Sequence, residues 1–445
     1  MKRRVIIVGA GIAGLAAAHA LAQYGIEVRV LEAGDQPGGR MAERQDGPIR
    51  YGTGARLVYP FSPAFLGLVR ELGLEADLVP IRGLAATGTA DGLDHRIALL
   101  PELGLLGSKV LGWGDKARLG LLLADLLRRR PGSDPDDLTT GPDDETLAAY
   151  ITRLAGPRVL DRIVAPVFRG TRGWNPEEIS AAFFTTTTAH LIGRRSVYTF
   201  RDGIGQLTRA LAAQTNLTFG AEVERITPCP GGARVLWWRG GARHDAEADA
   251  VLCAIEGAKV PGIVALDDAG ERFFADVRYN PIGIVHYALR EEVAPKLRFL
   301  PPSEGGAIAT FQQGQGARLF CQLTPEASAM ALRDGRTGDL DGIIRADLRR
   351  LFPAIDAQEV HRVNQWIPHK LPLPYPGYAA SLAEFRAHQA ARRRPIYFAG
   401  DYMAQALVTG ACRSGLDTGS LVARHLKEAL LFRKKGAKNV HSFFW

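Results

Sequence analysis

Cysteine is scarce in this chain: only Cys229, Cys253, Cys321 and Cys412 occur among 445 residues, and no two form a C-x-x-C pair. That argues against a disulfide framework and against a cysteine zinc site, and it suits a reducing compartment. The ten histidines include no H-E-x-x-H or comparable spacing, so no metal is expected. Internal repeats and low-complexity tracts are missing too. Basic residues leave a net charge of +8, but they come as scattered runs, Arg128-Arg129-Arg130, Arg392-Arg393-Arg394 and Arg433-Lys434-Lys435. No basic stripe is interleaved with aromatics, so nucleic acid is not an expected partner. An acidic substrate, an anionic membrane surface or a plain solvated surface would each fit the charge. The most apolar stretch, residues 5–22, is broken by Gly9, Gly11, Gly14 and His19, and it is short for a membrane span. A cytoplasmic protein is expected, with peripheral membrane contact left open.

What the chain does have is glycine in informative places. "VIIVGAGIAGLAAAHALAQYGIEVRVLEAGDQPGGR" begins with a basic start and an apolar run, as a secretory signal would. The glycine spacing decides otherwise. Gly9, Gly11 and Gly14 form G-x-G-x-x-G directly after the strand-like Val5-Ile6-Ile7-Val8, and helix-like sequence follows. A second strand-like run ends at Glu32, with seventeen residues between it and Gly14. In such a strand–turn–helix–strand–acid unit, Gly9 permits the turn. Gly11 leaves room for a pyrophosphate, and Gly14 lets the helix pack on the strand. The helix N-terminus, around Ile12 and Ala13, offers free N–H groups to phosphate. Glu32, followed by Ala33, can accept hydrogen bonds from ribose hydroxyls and disfavours a 2′-phosphate. The unit predicts dinucleotide binding. Pro37-Gly38-Gly39-Arg40 then reads as a second phosphate-suited turn or as a plain surface turn.

"EAGDQPGGRM" resembles the segment after the second strand in the amine oxidase, protoporphyrinogen oxidase and phytoene-desaturase-like superfamily of FAD oxidoreductases. The resemblance implies FAD rather than NAD, with Gly39 and Arg40 near it. "RRPIYFAGDYMAQALVTGACRSGLDTGSLVARHL", residues 393–426, resembles the second flavin element of the same superfamily. There Gly400-Asp401 would meet the ribityl chain, and the helix N-terminus at Leu407, Val408 and Thr409 would face the flavin. The small residues Gly410, Ala411, Ser414, Gly415 and Gly419 would let a flat ring approach the backbone. "EVERI" resembles the segment contacting adenine through a valine, here Val223. Gly52, Gly54 and Ala55 in "YGTGARLVYP" resemble flavin-contacting positions. Arg56 beside them is a candidate for a substrate carboxylate, for the cofactor phosphates or for a surface acid. Cys412 does not match the covalent flavin cysteine of some relatives, so non-covalent FAD is implied.

The resemblance also implies an α/β fold. A Rossmann-type FAD domain of the p-hydroxybenzoate hydroxylase/glutathione reductase-like kind would be built from 1–85, 200–265 and 390–430. A discontinuous α+β substrate domain would come from 86–199 and 266–389, and a basic, aromatic tail from 431–445. A meander with turns at Gly231-Gly232 and Gly240-Gly241 is expected from the alternation around 221–255. The stretch 85–200 reads as helical, with an amphipathic helix over Lys116–Arg130 that suits either a core or a membrane surface. The implied activity is hydride removal from a bulky, largely apolar substrate to flavin N5, protoporphyrinogen oxidase-like or isoprenoid desaturase-like, with oxygen or a quinone as acceptor. A flavin amine or amino-acid oxidase is the alternative, and a non-catalytic carrier on the same fold a third. Classical amine oxidases carry a lysine on the strand that here holds His286 and Tyr287; this chain has none there. Leu407 stands where those enzymes place an amine-caging tyrosine. His286, Tyr287, Arg56 and Tyr375 are the catalytic candidates, with Tyr378 a further aromatic cavity candidate.

Overall fold

Val5, Ile6, Ile7 and Val8 are all β-branched, which favours a pleated, buried strand. In the computed structural model they form Arg4–Val8, the centre of a five-stranded sheet. The structure describes residues 3–440 apart from 83–84, 91–92, 101, 294–296, 315 and 392–393; the aromatic end at Phe443, Phe444 and Trp445 lies outside the described residues. Glu27–Leu31 and Leu217–Thr218 extend the sheet on one side, Ala250–Cys253 and Ile396–Phe398 on the other. Every pairing is parallel, with Val5 opposite both Val28 and Ala250. The chain therefore leaves this sheet and returns to it after residues 31, 218 and 253.

A parallel sheet must be covered on both faces, and alternation along the strands distributes the work. Val5, Ile7 and Val30 pack with the helix Ile12–Gln23. Ile6, Val8 and Leu31 pack in the cluster that holds Ala233, Val235 and Trp237. Those three belong to an antiparallel meander of Glu222–Cys229, Gly232–Arg239 and Ala242–Ala248, as the sequence predicts. Gly240 and Gly241 both take positive φ at its second turn, the conformation a tight hairpin requires.

The second large element is a seven-stranded sheet. Its order is Glu359–Pro372, Tyr279–Leu289, Arg318–Leu323, Ile308–Gly314, Leu297–Phe299, Ala85–Ala90, Leu93–Ala98. All its pairings are antiparallel except that between Leu297–Phe299 and Ala85–Ala90. One face carries Ile282, Ile284, Ile367 and Phe320. The other carries Val285, Tyr287, Cys321 and Leu323 against the helix Leu340–Leu351. The fold is thus mixed α/β. Helix across all of 85–200 was too broad an expectation, because 85–98 is a hairpin; its small-residue strand "AATGTA" carries no apolar alternation. The helix expected at Lys116–Arg130 spans Trp113–Arg129. It buries Leu122 and Leu126, while Trp113 is 87% exposed and Leu121 62% exposed. No helix among the described residues is long and apolar enough to cross a membrane.

The C-terminal helix runs over Val408–Val440, past the expected start of a separate tail. Ala411 lines the cavity as expected, but two of the helix's small residues do a different job. A Cβ on Gly415 would stand 2.2 Å from the Ala13 carbonyl oxygen, and one on Gly419 would stand 2.8 Å from that of Ala17. These glycines let two helix backbones cross closely; they do not clear space for a ring. Gly415→Ala should therefore lower the melting temperature, the overpacking of about 1–3 kcal/mol exceeding the gain in helix propensity of roughly 1 kcal/mol. Gly120→Ala, on the helix Trp113–Arg129 with nothing within 4 Å of the new methyl, should leave the melting temperature unchanged or raise it. Thermal melting of the two variants checks both signs; equal shifts would contradict the packing argument.

Candidate functional site

The turn after Arg4–Val8 is built as the glycine pattern requires. Gly9 has φ +101°, and a Cβ there would lie 2.8 Å from the Ala254 carbonyl oxygen. A Cβ on Gly14 would lie 2.0 Å from the Gly9 oxygen, so helix and turn touch only because both residues are glycine. Nothing stands within 4 Å of the corresponding position on Gly11, which faces open cavity. Gly11 caps the helix Ile12–Gln23 without a side-chain hydrogen bond, so the first N–H groups remain available to an anion.

Glu32 is fixed by its own backbone surroundings. Its Oε2 accepts from the Ala10 N–H at 2.7 Å and its Oε1 from the Gly34 N–H at 2.8 Å. A carboxylate has about four acceptor positions, so both oxygens stay competent toward a diol. Gly38 and Gly39 take positive φ. The Gly38 N–H donates to the Ala10 oxygen at 2.8 Å, which locks the second glycine turn onto the first.

Arg40 ties the site together. Its Nη1 and Nη2 donate to the two Asp401 oxygens at 2.7 and 2.9 Å, and Nη1 also donates to the Lys370 carbonyl oxygen at 2.8 Å. Asp401 is 4% exposed. Burial by itself would lower the Arg40 pKa, but the Asp401 charge and hydrogen bond, helped by Tyr279 and Glu256, raise it overall. The sequence assigned Asp401 to the ribityl chain and Arg40 to the phosphate side. The structure adds that each is the other's counter-ion, with the Asp401 carboxylate buried and Arg40 partly so.

These parts line one cavity of about 1320 Å³, above the roughly 300–1,000 Å³ of ordinary small-molecule sites. Gly9, Gly11, Ile12, Ala13, Glu32, Ala33, Gly39, Arg40, Gly54, Ala55, Arg56, Val223, Gly400, Asp401, Leu407, Val408 and Thr409 all reach it. Gly14 does not, since it is spent on packing. The cavity continues from this groove to the seven-stranded sheet, where Leu297, Phe299, Phe320, Ile367 and Leu371 line it. The donor set suits a dinucleotide: free helix N–H groups, glycines without obstruction, and an oriented acid.

Of the four catalytic candidates only Arg56 reaches the cavity. Its side chain is exposed at the cavity, where desolvation by the neighbouring protein lowers its pKa to about 10, with Tyr59 opposing. His286 stands behind the wall, 4.9 Å from the Tyr51 ring and 5.5 Å from Phe320 by centroids. Its Nε2 donates to Gln365 Oε1 at 2.8 Å, a tautomer set by that amide's own bond to the Gly52 oxygen. Burial, opposed by Gln365 and reinforced by the Arg56 charge, pushes its pKa down to about 4, so it is neutral at ordinary pH. Tyr287 is one residue along and points through the other face, where its hydroxyl donates to Asp341 at 2.5 Å. Tyr375 lies outside the cavity wall, under Arg278 and against Tyr378; Tyr378 is buried and donates to the Tyr402 carbonyl oxygen. Period-two alternation explains the Tyr287 miss: neighbours on a strand cannot both face one cavity.

Two cavity residues escaped the sequence reading. Lys370 is 6% exposed and its Nζ donates to Gln322 Oε1 at 3.1 Å. Burial and the charges of Arg56 and Arg172 hold its pKa well below the ordinary lysine value. It lies on the strand Glu359–Pro372 where Asn280 pairs with Leu371 but Ile282 pairs with Ile367. The extra residues form a bulge, which breaks the alternation and re-aims a side chain; the available signal was a lysine set in the apolar, proline-flanked "WIPHKLP". Arg172 ends the helix Ala165–Arg172 and is 9% exposed, between Phe168 and Phe183.

The fold and cavity suit a dinucleotide-binding protein, and the sequence profile of the family described as "Flavin containing amine oxidoreductase" matches residues 12–422. The chain belongs to that family of flavin-containing oxidoreductases. It is 28% identical over 179 residues to protoporphyrinogen oxidase 2 of Arabidopsis thaliana, which covers 40% of this chain and 34% of that protein. The match thus spans about a third of that relative's length. A putrescine oxidase solved with putrescine superposes with a TM-score of 0.71 at 19% identity, over 94% of this chain and 98% of the other. Cyclohexylamine oxidase from Brevibacterium oxydans does so with a TM-score of 0.69 at 18% identity, over 96% and 100%. Both share the fold.

Proposed function

We propose that the chain oxidises a bulky, largely apolar substrate, in the manner of protoporphyrinogen oxidases or isoprenoid desaturases. The five-stranded parallel sheet would be a Rossmann-type FAD domain, built from 1–85, 200–265 and 390–430. The pieces 86–199 and 266–389 would form the substrate domain. The observation that carries this reading is the single cavity joining the dinucleotide groove to the apolar face of the seven-stranded sheet. FAD would bind non-covalently, since no cysteine lines the cavity among the described residues and Cys412 is buried in the core. Glu32 and Val223 would hold its adenosine end. The N–H groups behind Gly11 would hold the pyrophosphate, and residues 400–409 the ribityl-flavin end.

When bound, flavin supplies the hydride acceptor. The chain's own residues orient the substrate against it and exclude water. With oxygen or a quinone as acceptor, the protein needs no acid–base triad. His286, neutral and behind the wall, orients Gln365 and the Tyr51–Phe320 aromatic lining. An amine or amino-acid oxidase is the second reading. Leu407 and the guanidinium groups of Arg56 and Arg172 weigh against a simple amine, because an ammonium would meet like charge and no aromatic face at Leu407.

The test is anaerobic mixing of the FAD-loaded protein with apolar cyclic tetrapyrrole precursors, polyenes, primary amines, polyamines and amino acids. We expect flavin bleaching by a member of the apolar set and none by simple amines. Rapid bleaching by an amine alone would replace this reading with the second. Colourless protein that ignores added FAD would favour a carrier.

A cytoplasmic protein touching the membrane peripherally fits the exposed line of Trp113, Leu121 and Leu127 on one helix flanked by Lys116, Arg118 and Arg128. Co-sedimentation with anionic vesicles should fall several-fold for Trp113→Glu. Equal sedimentation of variant and parent would remove the helix from such a contact.

A further inference from the structure

Asp134, Asp136 and Asp137 lie on one loop, and each side chain has a different neighbour. Asp137 accepts from Arg386 Nη1 at 2.8 Å, and Asp134 lies 3.8 Å from Arg413 Nη1. Asp136 is 1% exposed. Its Oδ2 accepts from the Ser62 hydroxyl, while its buried Oδ1 has no partner among the described residues. Ser62 is the N-cap of the helix Pro63–Glu71, where its Oγ accepts from the Phe65 N–H at 3.2 Å. The Thr409 hydroxyl is buried and also completes no hydrogen bond among the described residues, yet it lies close enough to act on the Asp136 carboxyl. Thr409 belongs to the first turn of the helix Val408–Val440 and lines the cavity. One buried carboxyl thus stands at the N-terminal ends of two helices, and the second of these opens onto the cavity.

Capping does not explain an acid at this position. Ser62 already caps its helix, and an asparagine at 136 would accept the same hydrogen bond without the cost of burying an ion. A helix N-terminus favours negative charge. In the placement of FAD proposed above, residues 407–409 meet the flavin end, where hydride acceptance leaves negative charge on the ring. Asp136 and reduced flavin would then compete for one helix end. We propose that Asp136 is a positioning residue that answers the charge of the flavin: ionised beside oxidised flavin, it takes up a proton when the flavin is reduced. This rests on the placement of FAD in the proposed function and goes beyond it, since it holds for any substrate. In the balance, the substrate's hydride brings two electrons and one proton to N5, and a second proton passes from water to the Asp136 carboxyl. Burial already pushes that carboxyl above its ordinary value; Ser62 and Thr409 oppose the shift, Asp134 adds to it and Arg413 opposes it. The other groups nearby are accounted for. Asp417 is held by Arg413 at 2.6 Å, and burial and Asp136 keep the Cys412 thiol neutral. Arg70 and Glu71 lie at the far end of the helix that Ser62 begins. The helix Ala181–Leu191 brings His190, which is bonded to Ser133. Of Asp134, Asp136, Asp137 and Asp417, only Asp136 has no ion pair among the described residues.

The experiment measures the flavin midpoint potential against pH for the FAD-loaded, full-length parent, Asp136→Asn and Ser62→Ala, by reduction with dithionite in the presence of a reference dye. At about pH 9, Asp136→Asn should favour flavin reduction about tenfold over the parent, or about 30 mV for two electrons. The gap should narrow as the pH falls, because protonation of the parent carboxyl removes the charge that the variant lacks. Ser62→Ala keeps the acid but deletes a hydrogen bond that favours its charged form. It should match the parent at the alkaline end and rise above it as the pH falls. FAD content should be unchanged in both variants. A gap of constant size at every pH, or no gap at any pH, overturns the proposal. Ser62→Ala that tracks the parent throughout also overturns it, and it decides the point if Asp136→Asn fails to fold. Loss of FAD from both variants overturns it by making the pair a structural support of the cofactor groove. A pH-dependent gap without flavin bleaching by any apolar substrate would count against the proposed function and leave this inference standing. Bleaching by an apolar substrate with no gap would do the reverse.

Discussion

The ion pair between Arg40 and Asp401 is the constraint on which the rest of the site depends. These residues are 361 positions apart. One follows the second glycine turn, and the other follows the last strand of the parallel sheet. The third contact of Arg40, to the Lys370 carbonyl oxygen, reaches the edge strand of the seven-stranded sheet at its bulge. One guanidinium therefore joins both sheets where the cavity passes between them. Its planar geometry matters: a lysine could not hold two carboxylate oxygens and a carbonyl in one plane. A buried ion pair of this kind contributes little net stability over an apolar substitute, but removing one partner leaves a costly unpaired charge. Its role is to fix position.

Around that link the cavity has two chemical characters. The groove at the parallel sheet is made of backbone N–H groups, glycines and one oriented acid, Glu32. The chamber at the seven-stranded sheet is apolar with embedded cations. The first character suits a dinucleotide; the second lies on elements outside the dinucleotide unit. The same fold can host both, because the residues that choose a substrate lie on strands and turns outside the dinucleotide unit.

The groove was legible in the sequence because each of its requirements is local. Gly9, Gly11 and Gly14 answer to one turn, and Glu32 follows at a fixed distance in the same unit. The 400–409 segment was found through its resemblance, and its glycines show how a correct segment can carry a mistaken reason: Gly415 and Gly419 serve a helix crossing. The chamber was much less legible. Arg172 and Lys370 come together from segments nearly 200 residues apart, and the bulge at 368–370 hides Lys370 from any alternation argument. Tyr287 was misplaced for the converse reason, since it obeys alternation and its neighbour His286 took the inner face. The hairpin at 85–98 went unseen because alanine, glycine and threonine give no apolar pattern.

The central claim is that Arg40 and Asp401 act as one unit that holds both sheets in register. A double-mutant cycle of Arg40→Met, Asp401→Asn and the pair, read by chemical denaturation, tests it most directly. The account predicts that each single change destabilises by about 3 kcal/mol or more. The pair should cost clearly less than the sum, with a coupling of about 1–3 kcal/mol. Additive effects would mean that the two residues stabilise the protein independently, and the account of how the cavity is assembled would be wrong.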